Sequence, residues 1–96
     1  MECEVVVWRG TLSDGSICYA AICPALRHAH GQGATEDEAL AEVAEGLACF
    51  LEREPDRLKT GQAAQEALDA LIADLTAEDV DPWVRRVAPA QVPAAT

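Results

Sequence analysis

The sequence predicts an α+β fold, in which a three-stranded antiparallel sheet is packed by one long helix and followed by a helical C-terminal segment. In the first third of the chain apolar residues alternate with a period of two, which is typical of strands. In the middle they recur at three- and four-residue spacing, which is typical of an amphipathic helix. The 96 residues suffice for one domain with a small core, to which self-association would add stability.

The first two predicted strands form a hairpin. Residues 3–9 and 17–23 are apolar runs rich in strand-forming side chains. Between them, Asp14 and Gly15 tolerate the positive φ angles of a tight turn. Pro24 has no backbone N–H to donate to a neighbouring strand, so the second strand is predicted to end there.

A third, weaker strand is predicted over residues 28–33. Alternation places His28, His30 and Gln32 on one face and Ala29, Gly31 and Gly33 on the other. Because the second face carries almost no side-chain atoms, another element can pack close to this backbone. We expect that element to be the helix that follows.

The long helix begins at a capping box and ends before a proline. Thr35 and Glu38 have the spacing of an N-cap residue and the third helical residue. The apolar stripe of the helix consists of Leu40, Val43, Ala44, Leu47, Phe50 and Leu51. Pro55 predicts a helix end at about Glu54.

The chain is predicted to divide into a domain over residues 1–54, a helical extension over residues 55–87 and a flexible tail over residues 88–96. We expect the extension to pack on the domain or on a second subunit. The tail is rich in alanine and proline and has no periodic pattern, which is typical of a mobile terminus.

Within the extension, an amphipathic helix is expected from about Gln62 to Leu75. For the segment after it we favour a helical piece, because Asp81 and Pro82 resemble an N-cap and the first helical residue. A short fourth strand at residues 84–87 is the alternative that stays open.

The charge is strongly negative, with 17 acidic residues against 7 basic ones and a net charge of −10. Nonspecific nucleic-acid binding and attachment to an anionic membrane both need a basic face, so the composition argues against them. It suits a basic protein partner. The chain has neither an apolar run of about 20 residues nor a basic, signal-like start, so we expect a cytoplasmic protein.

The chain has four cysteines, namely Cys3, Cys18, Cys23 and Cys49. Their spacing matches no common zinc-binding pattern, so we predict reduced, mostly buried thiols and no cofactor. A metal site formed by Cys23, His28 and His30 stays open as the alternative.

The stretch from Asp14 to Glu52 contains a series of short motifs. They are Asp14-Gly15, Tyr19-Ala20, Cys23-Pro24-Ala25-Leu26, Gly33-Ala34-Thr35, Glu38-Ala39-Leu40 and Cys49-Phe50-Leu51-Glu52. In this order they resemble the HicB family of antitoxins and its stand-alone relatives. The residues that match the family motif most directly are Asp14, Gly15, Tyr19, Pro24, Gly33, Thr35, Glu38 and Ala39.

The resemblance implies a truncated ribonuclease-H-like fold and a function in protein–protein interaction. HicB antitoxins bind and block a small basic ribonuclease toxin, and the acidic composition is compatible with such a partner. The alternative is a stand-alone HicB-like protein that works as a homodimer or homotetramer without a toxin. The candidate residues for such an interface are Leu68, Leu71, Ile72 and Trp83.

Neither DNA binding nor enzymatic activity is expected. Many HicB relatives carry a DNA-binding module in the C-terminal half, but residues 56–96 contain four basic residues against seven acidic ones. Hydrolysis on two metal ions would need several converging carboxylates, and the sequence shows no such set. Cys23 beside His28 or His30 has no third group to orient the histidine, so we predict that the protein is not an enzyme.

Overall fold

The computed structural model describes residues 2–26 and 29–90 of the chain. In chain order its elements are β1 (Cys3–Thr11), β2 (Ile17–Ile22), β3 (His30–Gly33), α1 (Glu36–Arg53), a 3-10 turn (Pro55–Arg57), α2 (Gly61–Ala77) and β4 (Trp83–Val87). The predicted α+β class is confirmed, with one long helix packed on an antiparallel sheet. None of the described helices is long and apolar enough to cross a membrane.

The four strands of the described residues form one sheet in the order β3-β2-β1-β4, and every neighbouring pair is antiparallel. The predicted hairpin of β1 and β2 is confirmed. In its turn, Asp14 accepts hydrogen bonds from the Ser16 hydroxyl at 2.6 Å and the Ser16 amide at 2.9 Å. These two bonds hold the pKa of Asp14 below its usual value. Gly15 adopts a φ of 88°, which a side chain would disfavour.

The favoured prediction of a helical piece after Asp81 is wrong, and the alternative of a short strand at residues 84–87 is confirmed, because residues 83–87 form strand β4. β4 pairs with the outer edge of β1, with Trp83 opposite Val7 and Val87 opposite Cys3. Local capping signals favoured a helix, but the unpaired edge of β1 offers a ladder of backbone hydrogen bonds to this β-branched and aromatic segment. The conformation of residues 83–87 therefore depends on β1, which is distant along the chain.

Helix α1 packs on one face of the sheet. The core on this side consists of Cys3, Val5, Val7, Ala21, Cys23, Leu26, Ala29, Ala39, Val43 and Leu47. Strand alternation explains the contribution of β1, since Cys3, Val5 and Val7 share one face.

Helix α2 packs on the opposite face of the sheet. Its buried residues Leu68 and Leu75 contact Val6, and the partly buried residues around them are Trp8, Leu71, Ile72, Val80 and Val84. Residues 55–87 therefore pack on the N-terminal part of the same chain and complete its sheet. Of the predicted tail, Ala90 donates to the Ala44 carbonyl at 2.9 Å, and residues 91–96 lie outside the described residues.

The glycine face of β3 meets α1, as the sequence predicts. A Cβ atom added to Gly31 would collide with the Ala39 carbonyl oxygen, and one added to Gly33 would lie 2.5 Å from Glu38 Cβ. The absence of side chains at both positions allows the helix to lie directly on the strand.

The predicted capping box is present at the start of α1. Thr35 Oγ1 accepts from the Glu38 N–H at 3.2 Å, and Glu38 Oε2 accepts from the Ala34 N–H at 2.8 Å. We expect Thr35→Ala to lower the free energy of unfolding by about 1 kcal/mol, measured by urea denaturation. Thr60→Ala is the matched control, because Thr60 is the N-cap residue of α2 but makes no side-chain capping bond. Equal losses in the two variants would contradict the capping role of Thr35.

Candidate protein-interaction surface

The outer surface of α1 carries a row of carboxylates. Buried Ala39, Val43 and Leu47 fix the inner face of the helix, and helical periodicity then places one stripe of residues opposite them. We call this stripe the α1 acidic row, which consists of the exposed residues Glu38, Glu42, Glu45 and Glu52.

The α1 acidic row has no counter-ion within the described part of the chain. The ion pairs between described residues join Arg57 to Glu54 at 3.6 Å and Arg85 to Glu36 at 2.8 Å, and neither includes a member of the row. No described basic side chain therefore neutralises its negative potential.

Two members of the α1 acidic row, Glu38 and Glu42, lie beside β3, which is one edge of the sheet. A Cβ atom added to Gly31 would lie 2.8 Å from Glu42 Cβ, and Gly33 has the same close relation to Glu38. Two carboxylate-bearing residues thus stand directly over the edge strand. A chain that approached this edge would meet negative charge along one side.

Glu36, at the first turn of α1, binds two residues of β4. Its Oε1 accepts from Trp83 Nε1 at 3.0 Å and from Arg85 Nε at 2.8 Å. Trp83 also makes an edge-to-face contact with Tyr19, with ring centroids 6.3 Å apart. These contacts tie β4 to α1 and line one side of an open cavity of about 480 Å³, to which Arg9, Asp79 and Asp81 also contribute.

The predicted interface residues are engaged within the chain. Leu68 is 6% exposed against the sheet, and Leu71 and Ile72 are partly buried around it. Trp83 is partly buried on the α1 side of the sheet and bound to Glu36. The apolar face of α2 that suggested an open interface is therefore used by the chain's own sheet.

The family-motif residues lie at the turns, strand ends and helix start that hold β2, β3 and α1 together. They fall at the hairpin turn (Asp14, Gly15), on β2 (Tyr19), after β2 (Pro24), at the end of β3 (Gly33) and at the start of α1 (Thr35, Glu38, Ala39). The structure brings Gly33, Glu38 and Ala39 into one close contact. Their roles in this fold are structural.

The structure places two of the three candidate metal ligands, Cys23 and His30, on opposite faces of the sheet. Cys23 is buried in the core beneath α1, whereas His30 pairs with Ile22 and shares the opposite face of the sheet. His28 lies outside the described residues. Among the described residues, no group of three histidine, cysteine, aspartate or glutamate side chains is placed to hold a metal ion.

The cysteines differ in exposure. Cys3 and Cys23 are buried, Cys18 is partly buried and Cys49 is exposed on α1, so the prediction of mostly buried thiols holds for two of the four. Burial raises the pKa of Cys23 to about 11 and also raises that of Cys3. A thiol with a raised pKa holds little of the reactive thiolate at neutral pH.

We expect Cys49 to react first with a disulfide reagent at pH 8, because its thiol is exposed. Cys3 and Cys23 should react only as the protein unfolds, since burial both blocks access and disfavours the thiolate. Stopped-flow measurement of released thionitrobenzoate gives the rates, and Cys49→Ala should remove the fast phase. Rapid reaction of Cys23 in the folded state would contradict its burial.

Sequence reasoning alone did not find the contact of Glu36 with Trp83 and Arg85. That contact depends on β4, and its one local signal is the period-two placement of Trp83, Arg85 and Val87. In comparisons with known proteins, no family model, no curated protein and no solved structure matches the chain. What the protein binds must therefore be inferred from its own residues and their geometry.

Proposed function

We propose that this protein is a HicB-like interaction module that binds and neutralises a small basic ribonuclease. The observation that carries the proposal is the α1 acidic row, which has no counter-ion among the described residues and of which Glu38 and Glu42 lie beside a sheet edge. The resemblance of residues 14–52 to HicB antitoxins supplies the class of partner.

Electrostatics supports a basic partner. Residues 1–55 contain ten acidic and three basic residues, so most of the negative charge lies on the segment that forms β1, β2, β3 and α1. Such a surface accelerates encounter with a basic protein. It would also compete with the phosphates of RNA for the basic groups with which a ribonuclease holds its substrate.

The test starts from the reading frames beside the gene of this protein: if one of them encodes a small basic protein, the two proteins are co-expressed, and if none does, the homo-oligomer is favoured over the antitoxin. We expect the two proteins to co-purify and to bind each other at low micromolar concentration or below. The ribonuclease activity of the basic protein should fall in proportion to the fraction of it that is bound. The absence of a complex at low micromolar concentration would exclude the antitoxin function.

A homo-oligomer without a toxin is the second candidate, and one observation favours it. On the face that α2 covers, the β2 residues Cys18, Ala20 and Ile22 are only partly buried and belong to neither core. A second copy could cover this strip. Sedimentation equilibrium of the isolated chain distinguishes the candidates, since a monomer at tens of micromolar would exclude a stable homodimer or homotetramer.

A further inference from the structure

The two edges of the sheet differ in how they are protected against pairing with another chain. At the β4 edge the strand carries Arg85 and Arg86 and stands between Pro82 and Pro89. Charged side chains and prolines are among the features by which natural sheets prevent edge-to-edge pairing. Strand β3, His-Gly-Gln-Gly, has no lysine, arginine, acidic residue or proline.

The hydrogen-bonding pattern identifies the open position on β3. The Cys23 N–H donates to the Ala29 carbonyl at 3.0 Å, and antiparallel pairs alternate between bonded and non-bonded positions. Gly31 therefore bonds to Ala21 on β2, whereas the backbone N–H and C=O of Gln32 point away from the sheet. Two residues further on, the Ala34 N–H is already bonded to Glu38 Oε2 at 2.8 Å.

We propose that β3 is a strand-addition site, at which an extended segment of the basic partner pairs with the backbone of Gln32. This inference rests on the proposed function and specifies how the partner is held. The charge around the site selects the occupant, because Glu38 and Glu42 stand over Gly33 and Gly31 without a basic partner among the described residues.

The two sides of the sheet predict the sequence pattern of the added strand. Successive side chains of a strand point to opposite faces. On the α1 side they would meet the carboxylates of Glu38 and Glu42, which favour lysine or arginine. On the other side they would lie beside Gln32 and near the partly buried Ala20 and Ile22 of β2, where apolar residues fit better. The partner segment is therefore one in which basic and apolar residues alternate.

The test compares Gln32→Pro with Arg86→Pro. Proline at Gln32 removes only the outward N–H and leaves the bonds between β3 and β2 intact, as edge strands tolerate. The same alternation, followed across β2 and β1, directs the backbone of Arg86 outward on the β4 edge, which makes Arg86→Pro the matched control. Thermal unfolding of both variants checks that the fold is retained.

The probe is the small basic protein of an adjacent reading frame, titrated calorimetrically into each variant; the absence of any such frame counts against the proposed function on which this inference rests. We expect Gln32→Pro to raise its Kd about tenfold or more, from the loss of a backbone hydrogen bond and the clash of the proline ring with the added strand. For Arg86→Pro we expect a change of less than about threefold. Hydrogen exchange of the wild-type chain gives a second readout, since the amide of Gln32 should be protected only in the complex.

The possible outcomes separate the strand-addition site, the proposed function and the identity of the occupant. If the basic protein binds the wild type and both variants with equal affinity, and the amide of Gln32 is not protected in the complex, strand addition is overturned. The proposed neutralisation is not affected by that result. No binding by the wild type overturns the proposed function itself. A homodimer that Gln32→Pro dissociates in the absence of the basic protein assigns the edge to a second copy of this chain and overturns the proposed occupant.

Discussion

Replacing Gly31 with alanine is expected to lower the free energy of unfolding by about 3 kcal/mol or more, at the upper end of what overpacking costs. The new Cβ would collide with the Ala39 carbonyl oxygen, and would lie 2.8 Å from Glu42 Cβ and 3.0 Å from the Val43 nitrogen. These atoms belong to the backbone of α1 or to the first carbon of a side chain, so no rotamer change relieves the contact. The helix must move away from the sheet and open the core between them.

Thermal unfolding followed by circular dichroism measures the effect of Gly31→Ala. For a domain of this size the expected loss corresponds to a fall in Tm of about 12 °C or more. Gly10→Ala is the control, because Gly10 also lies in the sheet but a Cβ there would meet nothing within 4 Å. We expect its stability to stay within about 0.5 kcal/mol of wild type. A Gly31→Ala variant as stable as Gly10→Ala would show that α1 does not lie directly on β3.

The elements that sequence patterns predicted correctly are those whose signals are local. The turn at Asp14 and Gly15, the cap at Thr35 and the apolar stripe of α1 each act within a few residues, and the structure contains all three. For the segment after Asp81 the local signals left a helical piece and a short strand both open and favoured the wrong one, because the decisive interaction is the pairing of Trp83 with Val7, two residues far apart along the chain.

The candidate site also combines features that have a local sequence signal with features that depend on distant parts of the chain. The α1 acidic row follows directly from helical periodicity, so the sequence alone locates Glu42 and Glu45 on an exposed stripe. That Glu38 and Glu42 lie beside a sheet edge depends on the strand order, which no local pattern contains. The apolar face of α2 was also predictable, but not that Leu68 would be buried against Val6 on the chain's own sheet.

Reversing two charges of the α1 acidic row, in Glu42→Lys/Glu45→Lys, is expected to weaken binding of the basic partner about 30-fold. Each reversal exchanges an attraction for a repulsion worth about 1 kcal/mol at an exposed position, and about 2 kcal/mol corresponds to that factor. The fold should be unaffected, because neither residue forms an ion pair with another described residue. Glu38 and a lysine at position 42 would even form a favourable pair along the helix.

The control must separate the position of the charges from their number. Asp69→Lys/Asp74→Lys changes the net charge by the same four units, but on α2, which lies on the opposite face of the sheet. If the partner binds along α1, this variant should lose less than about threefold in affinity, and most of the loss in the α1 variant should fall on the association rate. Added salt should reduce the difference in affinity between the wild type and the α1 variant, since ions screen exposed charges. Equal losses in the two double variants would mean that only the net charge of the protein matters, and that α1 is not the binding face.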